Sequence, residues 1–517
     1  MPRQLCFVKR SPAHLRYDGS VPTYHVQNFG CRATQADGAA LARQFAARGL
    51  APASAAQADL IIINGCTVTN GADQDARAAI RRARRENPLA KIIVTGCYAQ
   101  RAPEEIAGLV GVTAVIGNSH KHRLAEIVLS DLSERRASGP EKAAFVPLAS
   151  LTAEARIPRR PRSGHAKAEA RVFVSDIFAH TELLAAPVFE AGNAPGSHEN
   201  DRTRPNLKVQ DGCDNRCSFC VIPSVRGNSR SLPLREIIRE VNALAAAGYR
   251  ELVISGINLG RWGRDLAVDS LLSAPGEDRR PNFERMIRTI LSETNLEKLR
   301  ISSVEPMDWS DELIALVACS ARIAKHAHVP LQSGSDTVLR RMHRKYRPWH
   351  YREKIEKIRA AMPTAAIGAD VMAGFPGETD AEFEATRRLI EDLPFTYLHV
   401  FTYSARPGTP AAAMRDQVPV HIARERNSVL RGLAAQKKLA FMQSFVGERL
   451  EAITLNAVHN ALDQEFTEAV TDNYQKLHLK GWHEPNRWIR ARIEDVDDGA
   501  LVGSVAVPAD SPREAAS

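Results

Sequence analysis

The chain has 517 residues, 44% of them apolar and 25% charged, and Lys+Arg 69 against Asp+Glu 60 gives a net charge of +9. That length suggests two to four domains, and the positive balance favours a polyanionic partner such as nucleic acid over a strongly acidic one. With no uncharged apolar run of roughly 18 residues and no signal-peptide core in MPRQLCFVKRSPAHLR, no membrane span is expected and the protein reads as cytoplasmic, its 8 cysteines reduced and open to metal.

In chain order, residues 22–128 alternate strand and helix patterns. TYHVQ, ADLIIIN, KIIVT and VTAVI read as strands, with helices over 35–48, 72–86 and 103–109 between them. This alternation predicts an open parallel sheet with helices on its faces. Cys31, Cys66 and Cys97 each follow one of the first three strands, and Gly30, Gly65 and Gly96 precede them directly. Open α/β sheets bind ligands at the carboxyl ends of their strands. A single such cysteine is ordinarily a core thiol, but three Gly-Cys pairs at strand ends predict a metal centre on one rim. Arg77, Arg81, Arg82, Arg84 and Arg85 form a basic helix segment, either a solvated face or a phosphate contact.

Residues 129–203 break the alternation and contain the basic tract RIPRRPRSGHAKAEAR. They read as an insertion or linker, partly disordered, or as an RNA-contacting arm. From 204 to 445 a second alternation follows, with candidate strands LKV, ELVIS, KLRIS, HAHVP, AIGADVM and YLHVFT. Six parallel strands separated by helices predict a partial (β/α)6 barrel, whose site belongs at the carboxyl ends of the strands. Just past the first of them stands Cys213-Asp-Asn-Arg-Cys217-Ser-Phe-Cys220. A cubane cluster ordinarily takes four thiolates, so three close ones hold three irons and leave the fourth open. A zinc site lacking its fourth ligand is the bland alternative. Residues 446–508 read as short strands and turns, a small all-β barrel of the kind that binds nucleic acid. Within it Tyr474, Lys476, Trp482, Trp488, Arg490 and Arg492 interleave aromatics with cations, as base-stacking surfaces do. Cys6 falls in a tail, Cys319 ends LIALVACSA as a core residue, and His14, His25, His326 and His328 show no metal-ligand spacing.

Several runs together carry a family resemblance. QNFGCRATQADG, IINGCTVTNGAD and VTGCYAQ resemble the auxiliary-cluster loops of the radical S-adenosylmethionine (SAM) methylthiotransferases, and LKVQDGCDNRCSFCVIPSVRGNSRS resembles their SAM-cluster loop. SGINLGRWG, SSVEP, HVPLQSGSDTVLRRMHRKY, ADVMAGFPGET and FTYSARPGTPAA match later family segments in the expected order. The resemblance implies an α/β chain with an N-terminal cluster domain (22–128), a radical SAM domain (204–445) and a C-terminal TRAM-like barrel (446–508). KVQDGC, SRSLP and SSVEPMD look most like the subfamily that methylthiolates C2 of N6-threonylcarbamoyladenosine beside the tRNA anticodon. Isopentenyladenosine in tRNA and a ribosomal-protein aspartate are the alternative substrates. A non-catalytic iron–sulfur RNA-binding protein is the more distant alternative.

By this resemblance Cys213, Cys217 and Cys220 hold one [4Fe–4S] cluster whose open iron takes SAM, and Cys31, Cys66 and Cys97 hold a second, auxiliary [4Fe–4S] cluster. Gly256, Glu305, Gln332 and Asp370 are candidate SAM contacts, with Ser333 beside Gln332. Glu305 has a rival role as the cap of a helix beginning near Trp309, and Asp370 one as a structural carboxylate. The implied partners are the tRNA anticodon stem-loop, an electron-donor protein and a sulfur source.

Overall fold

The computed structural model describes residues 21–137, 170–184, 204–267, 281–461 and 464–505. The chain forms two compact units, one running to residue 184 and one from residue 185 onward that also takes in Val68–Asn70.

In the first unit β1 (Thr23–Asn28), α1 (Arg32–Ala46), β2 (Ala51–Pro52), β3 (Leu60–Gly65), α2 (Asn70–Glu86) and β4 (Lys91–Gly96) lead to two short helices, α3 (Cys97–Arg101) and α4 (Pro103–Ala107). Then come β5 (Val112–Gly117), α5 (Leu124–Ala137) and β6 (Arg171–Phe173). The six strands make one parallel sheet, β2-β1-β3-β4-β5-β6. β3 is buried throughout because both faces are covered. Ile61 and Ile63 pack with Ile80, Val94 and Tyr98, while Leu60 and Ile62 pack with Leu41, Phe45 and Ile116.

Two expectations change here. The stretch 129–203, expected as an insertion or linker, supplies the end of α5 and the edge strand β6, which pairs with β5 through Ala114↔Arg171 and Ile116↔Phe173. Residues 138–169 and 185–203, with nearly all of the basic tract, lie outside the described residues. The helix expected over 103–109 is α4, and the unexpected short helix α3 precedes it, parted from it at Ala102 where the backbone leaves helical geometry ahead of Pro103.

The second unit opens with β7 (Asn206–Lys208), β8 (Gln210–Asp211), α6 (Ile222–Arg226), β9 (Arg230–Ser231), α7 (Leu234–Ala246) and β10 (Glu251–Ser255). It continues through α8 (Phe283–Glu293), β11 (Lys298–Ile301), α9 (Asp311–Cys319), β12 (His326–His328), α10 (Asp336–Arg341) and α11 (Pro348–Ala361). β13 (Ala366–Ala373), α12 (Asp380–Asp392), β14 (Tyr397–Thr402) and the long α13 (Val420–Gln443) complete its α/β part. Six parallel strands stand in the order β7-β10-β11 and β12-β13-β14, and Val304 N donating to His328 O at 3.0 Å links the two halves. This is the expected partial barrel. Cys319 departs from expectation: it is exposed, because it is the last residue of α9 and lies off the face that buries Leu313, Ile314 and Val317.

The chain ends in β15 (Arg449–Ala461), β16 (Gln464–Thr471), β17 (Lys476–Lys480), β18 (Trp488–Asp497) and β19 (Ala500–Val505). These close into a barrel, β15-β16-β17-β19-β18, which leaves no open edge. Its interior is Ala452, Ala469, Leu477, Leu479, Ala491, Ile493 and Leu501, extended by Met442 of α13 and by Phe445. The β16–β17 turn meets the amino ends of the α/β strands. Arg300 donates to Asp472 O at 3.1 Å, to Thr471 O at 3.3 Å and to Glu251 Oε1 at 2.7 Å, and its guanidinium covers the Tyr474 ring. Tyr474 also packs on His326, with ring centroids 4.7 Å apart. It is therefore a joint residue of this unit, not an open base-stacking platform.

Candidate iron–sulfur and cofactor sites

The sheet order places the first cysteine set. β1, β3 and β4 are neighbours, Asn28 stands opposite Asn64 and Gly65 opposite Gly96, so the three Gly-Cys steps fall at one level of one rim. The glycines are required by space and by backbone. Gly30 has φ +115°, and a Cβ there would lie 2.4 Å from Cys66 Cβ; Gly96 has φ +98°, and a Cβ there would lie 2.4 Å from Gly65 O. Only glycine takes both conditions without strain. The first loop thus lies directly against Cys66, and the second and third against each other.

Polar contacts hold this rim. Asn64 Nδ2 donates to Asn28 Oδ1 at 2.9 Å and to Thr34 O at 2.8 Å, and Lys121 Nζ reaches Asn64 Oδ1 at 3.2 Å and Asp37 at 3.0 Å in a buried ion pair. Beyond Cys66, Thr67 donates to Asp73 at 2.6 Å, and Arg101 binds Thr67 at 2.7 Å and Asp73 at 2.9 Å. Cys97 Sγ accepts from Asn118 Nδ2 at 3.6 Å, and Cys31 Sγ lies 3.6 Å from Thr34 Oγ1. Cys31 is exposed while Cys66 and Cys97 are buried, so the rim opens at the first loop.

The second set lies on one loop after β8, and buried charge fixes that loop. Asp211 accepts from Lys208 Nζ at 2.8 Å and Arg226 at 2.9 Å. Burial alone would raise its carboxyl, but Arg226, Lys208 and Arg230 outweigh burial and hold it well below the usual carboxylate range. Gln210 Nε2 donates to the carbonyls of Asp211 and Gly212, each at 2.9 Å, while its Oε1 accepts Asn258 N at 2.7 Å. Cys213 Sγ accepts from Asn215 N at 3.4 Å and Asn258 Nδ2 at 3.6 Å, and Cys217 Sγ from Arg344 at 3.3 Å. Burial raises the Cys213 thiol and pushes Cys220 up to about 12. Metal binding must therefore displace those protons.

The residues fit an iron–sulfur cluster and a polar cofactor. All six thiols are free, and three thiolates with N–H donors to sulfur are the protein side of an open-iron cluster. Beside Gly256, which follows β10, Ser255 Oγ and Asn258 Oδ1 are buried without a hydrogen-bond partner. Buried polar atoms of this kind are normally satisfied, and a SAM molecule carries the groups to do so.

Over most of its length the chain matches proteins of known chemistry. Residues 207–390 match the radical SAM superfamily and residues 23–117 the "Uncharacterized protein family UPF0004". The chain is 36% identical over 425 residues to a threonylcarbamoyladenosine tRNA methylthiotransferase, MtaB, of Bacillus subtilis (strain 168), covering 82% of each. This chain belongs to the radical SAM methylthiotransferase family. It is also 33% identical to a tRNA-2-methylthio-N(6)-dimethylallyladenosine synthase of Novosphingobium aromaticivorans, covering 84% of this chain and 87% of that one. Among solved structures it is similar to a radical SAM methyltransferase, TsrM of Kitasatospora setae, with TM-score 0.48, 15% identity and 76% and 77% coverage. A radical SAM methylthiotransferase is an iron–sulfur enzyme that uses SAM.

Within this methylthiotransferase the remaining sequence candidates are placed as follows. Glu305 caps no α-helix: α9 begins at Asp311 and is capped by Ser310, whose side chain accepts Leu313 N at 3.0 Å. Glu305 is instead ion-paired with Arg344, the same guanidinium that donates to Cys217 Sγ. Gln332 takes a left-handed turn, φ 62°, with its amide donating to Asp370 O at 2.8 Å. Asp370 stands opposite His399 in register, and its Oδ1 lies 3.3 Å from His399 Nδ1 and 3.5 Å from His328 Nε2. Burial would raise this carboxyl, but the two imidazoles outweigh it and hold it well below the usual range.

Arg344 is the residue that sequence reasoning missed. It is 8% exposed and stacks over Tyr346 at 4.9 Å, so a buried cation joins the Cys217 thiol to the Glu305 carboxylate. Its signal stood in HRKY, inside a segment noted only as a family match. Of the arginines on α2, Arg77 donates to Tyr98 OH at 2.7 Å and pairs with Glu105, while Arg81, Arg82, Arg84 and Arg85 are exposed. In the C-terminal barrel Lys476 pairs with Glu468 at 2.7 Å and Arg490 with Glu451 at 3.7 Å, Trp488 lies under Lys298, and Trp482 and Arg492 are exposed. No helix among the described residues is long and apolar enough to cross a membrane.

Proposed function

We propose that this enzyme adds a methylthio group to C2 of N6-threonylcarbamoyladenosine next to the tRNA anticodon, using two [4Fe–4S] clusters. Two three-thiol sets of different construction, one on a loop and one on a sheet rim, support the two clusters, and relatives named for threonylcarbamoyladenosine, at 36% and 32% identity, support the substrate. The cluster with SAM supplies hydrogen-abstracting radical chemistry, and the auxiliary cluster supplies sulfur handling.

Cys213, Cys217 and Cys220 hold the first cluster, and Asn215, Asn258 and Arg344 direct N–H groups at its sulfurs. Glu305, fixed and charge-balanced by Arg344, accepts hydrogen bonds from the ribose hydroxyls of SAM. Ser255 and Asn258, beside Gly256, and Gln332, on its turn, receive the rest of the cofactor. Cys31, Cys66 and Cys97 hold the auxiliary cluster, with Asn118 donating to the Cys97 sulfur. Trp482 and Arg492 are the open aromatic and cationic groups for tRNA on the C-terminal barrel. An electron-donor protein and a sulfur source complete the system.

A second reading is dimethylallyl-modified adenosine, favoured by relatives bearing that name at 33% and 32% identity. Mass spectrometry of tRNA nucleosides from cells with and without the gene separates the two. Loss of methylthio from threonylcarbamoyladenosine alone supports the first reading, and loss from the dimethylallyl nucleoside supports the second. Unchanged tRNA with intact SAM cleavage sinks both and points to the ribosomal-protein aspartate. Unchanged tRNA without SAM cleavage leaves the non-catalytic RNA-binding role.

A further inference from the structure

His328, Asp370 and His399 project from three adjacent strands, β12, β13 and β14. Asp370 lies on the β13 face opposite that of Ile367, Ala369 and Val371, which are fully buried. One ligand atom from each of the three residues lies within 4.8 Å of the others. We infer that these three residues form a mononuclear site for a divalent first-row transition-metal ion, with zinc the best match and no cysteine among its ligands.

Three observations carry it. The spacings to Asp370 match those between ligands of a shared ion and are long for a charge-assisted hydrogen bond, while the His399 contact is still within hydrogen-bond range. His399 Nδ1 and His328 Nε2 stand 3.3 and 3.5 Å from Asp370 Oδ1. Ligands about 2.0–2.1 Å from a tetrahedral zinc are roughly 3.3–3.4 Å apart, whereas a charge-assisted N–H···O contact closes to about 2.7–2.9 Å.

Second, His328 is 7% exposed and its Nε2 is buried without a hydrogen-bond partner. Its Nδ1 lies 2.9 Å from Ser303 Oγ. In the tautomer that carries its proton on Nδ1, toward Ser303, Nε2 presents its lone pair to an ion shared with Asp370. A hydrogen-bonding partner on the distal ring nitrogen is the usual arrangement for ligating histidine.

Third, the site is open on one side. The Asp370 and His399 side chains are 26% and 55% exposed. Two imidazoles and one carboxylate leave a fourth position for water or an anionic oxygen, as in open zinc sites.

The test is zinc content and zinc K-edge X-ray absorption on the full-length protein with its clusters reconstituted. That edge reads zinc apart from cluster iron. About one zinc per chain with a shell of nitrogen and oxygen alone supports the site. H399A, at an open position, should weaken zinc binding at least about tenfold, and S303A, which removes only the partner of a ligand, about tenfold. Sulfur in the shell would place zinc in a vacant cysteine set and overturn the inference. So would zinc binding unchanged in H399A, or wild-type protein that retains no zinc.

Discussion

Cys213, Cys217 and Cys220 come from one loop, whereas Cys31, Cys66 and Cys97 come from three strands that must pair in register. The loop set is specified locally and then clamped by buried charge at Asp211, Lys208 and Arg226. The rim set has no local specification. It exists only once β1, β3 and β4 have assembled, and glycines without a Cβ let its loops touch. The loop set should therefore answer most to the Asp211 clamp, beside the left-handed Gly212 it also needs, and the rim set most to strand register and its loop glycines, beside the buried Lys121–Asp37 pair. Cluster loss at one should leave the chemistry of the other measurable.

The largest expected effect tests this division outright. Alanine at Cys213, Cys217 or Cys220 should abolish 5′-deoxyadenosine formation from SAM. Alanine at Cys31, Cys66 or Cys97 should leave that formation in place and end methylthio transfer to tRNA. Loss of SAM cleavage in the second group, in protein with native circular dichroism, would refute the separation.

Next in size is the charge clamp. D211N removes the carboxylate that the buried Lys208 and Arg226 share, at a cost of about 3–5 kcal/mol, readable by denaturant unfolding of the second unit. The pH dependence has a definite sign. The folded carboxyl titrates below its unfolded value, so its contribution is complete above about pH 4 and is lost as pH falls towards the folded value. D211N should lack that acid-dependent component, and an unchanged acid limb would show that Asp211 is not its source.

Much of this contrast was legible in the sequence, and the exceptions share a cause. ADLIIIN and KIIVT announced buried parallel strands because both of their faces are apolar, and the three Gly-Cys steps announced the rim. β6 was missed because Arg171–Phe173 is three residues long and is recruited by β5 across a long polar stretch. The role of Tyr474 was misread because its partners, His326, Tyr397 and Arg300, lie in another part of the chain. The same distance hid His328 from Asp370 and His399, and Arg344 from Cys217. Periodicity reports which face of an element is apolar, but not which polar side chain from elsewhere will meet it.

The rim's dependence on backbone space can be tested with G96A. The new Cβ meets Gly65 O, and the residue must hold a left-handed backbone, costing roughly 1–3 kcal/mol. Iron content should fall towards that of one cluster while SAM cleavage persists. Retention of both clusters would mean that the third loop can move without loss of its thiolate.

The smallest expected effect falls on the loop set and concerns tuning. Arg344 puts a buried guanidinium against the Cys217 sulfur and ties it to Glu305. A cation and an N–H donor at a cluster thiolate stabilise the reduced, more negative cluster, so they raise its potential. R344Q removes the charge and should lower the midpoint potential measured by redox-poised electron paramagnetic resonance. R344K keeps the charge without the planar fork and should shift it less. Freeing Glu305 should also raise the KM for SAM in both variants. A cluster that assembles at unchanged potential in R344Q would assign Arg344 to packing over Tyr346 alone. A graded shift, with Gln below Lys below Arg, would show that the loop set is tuned by charge as well as held by it, whereas the contacts of Asn118 with Cys97 and of Thr34 with Cys31 on the rim are neutral.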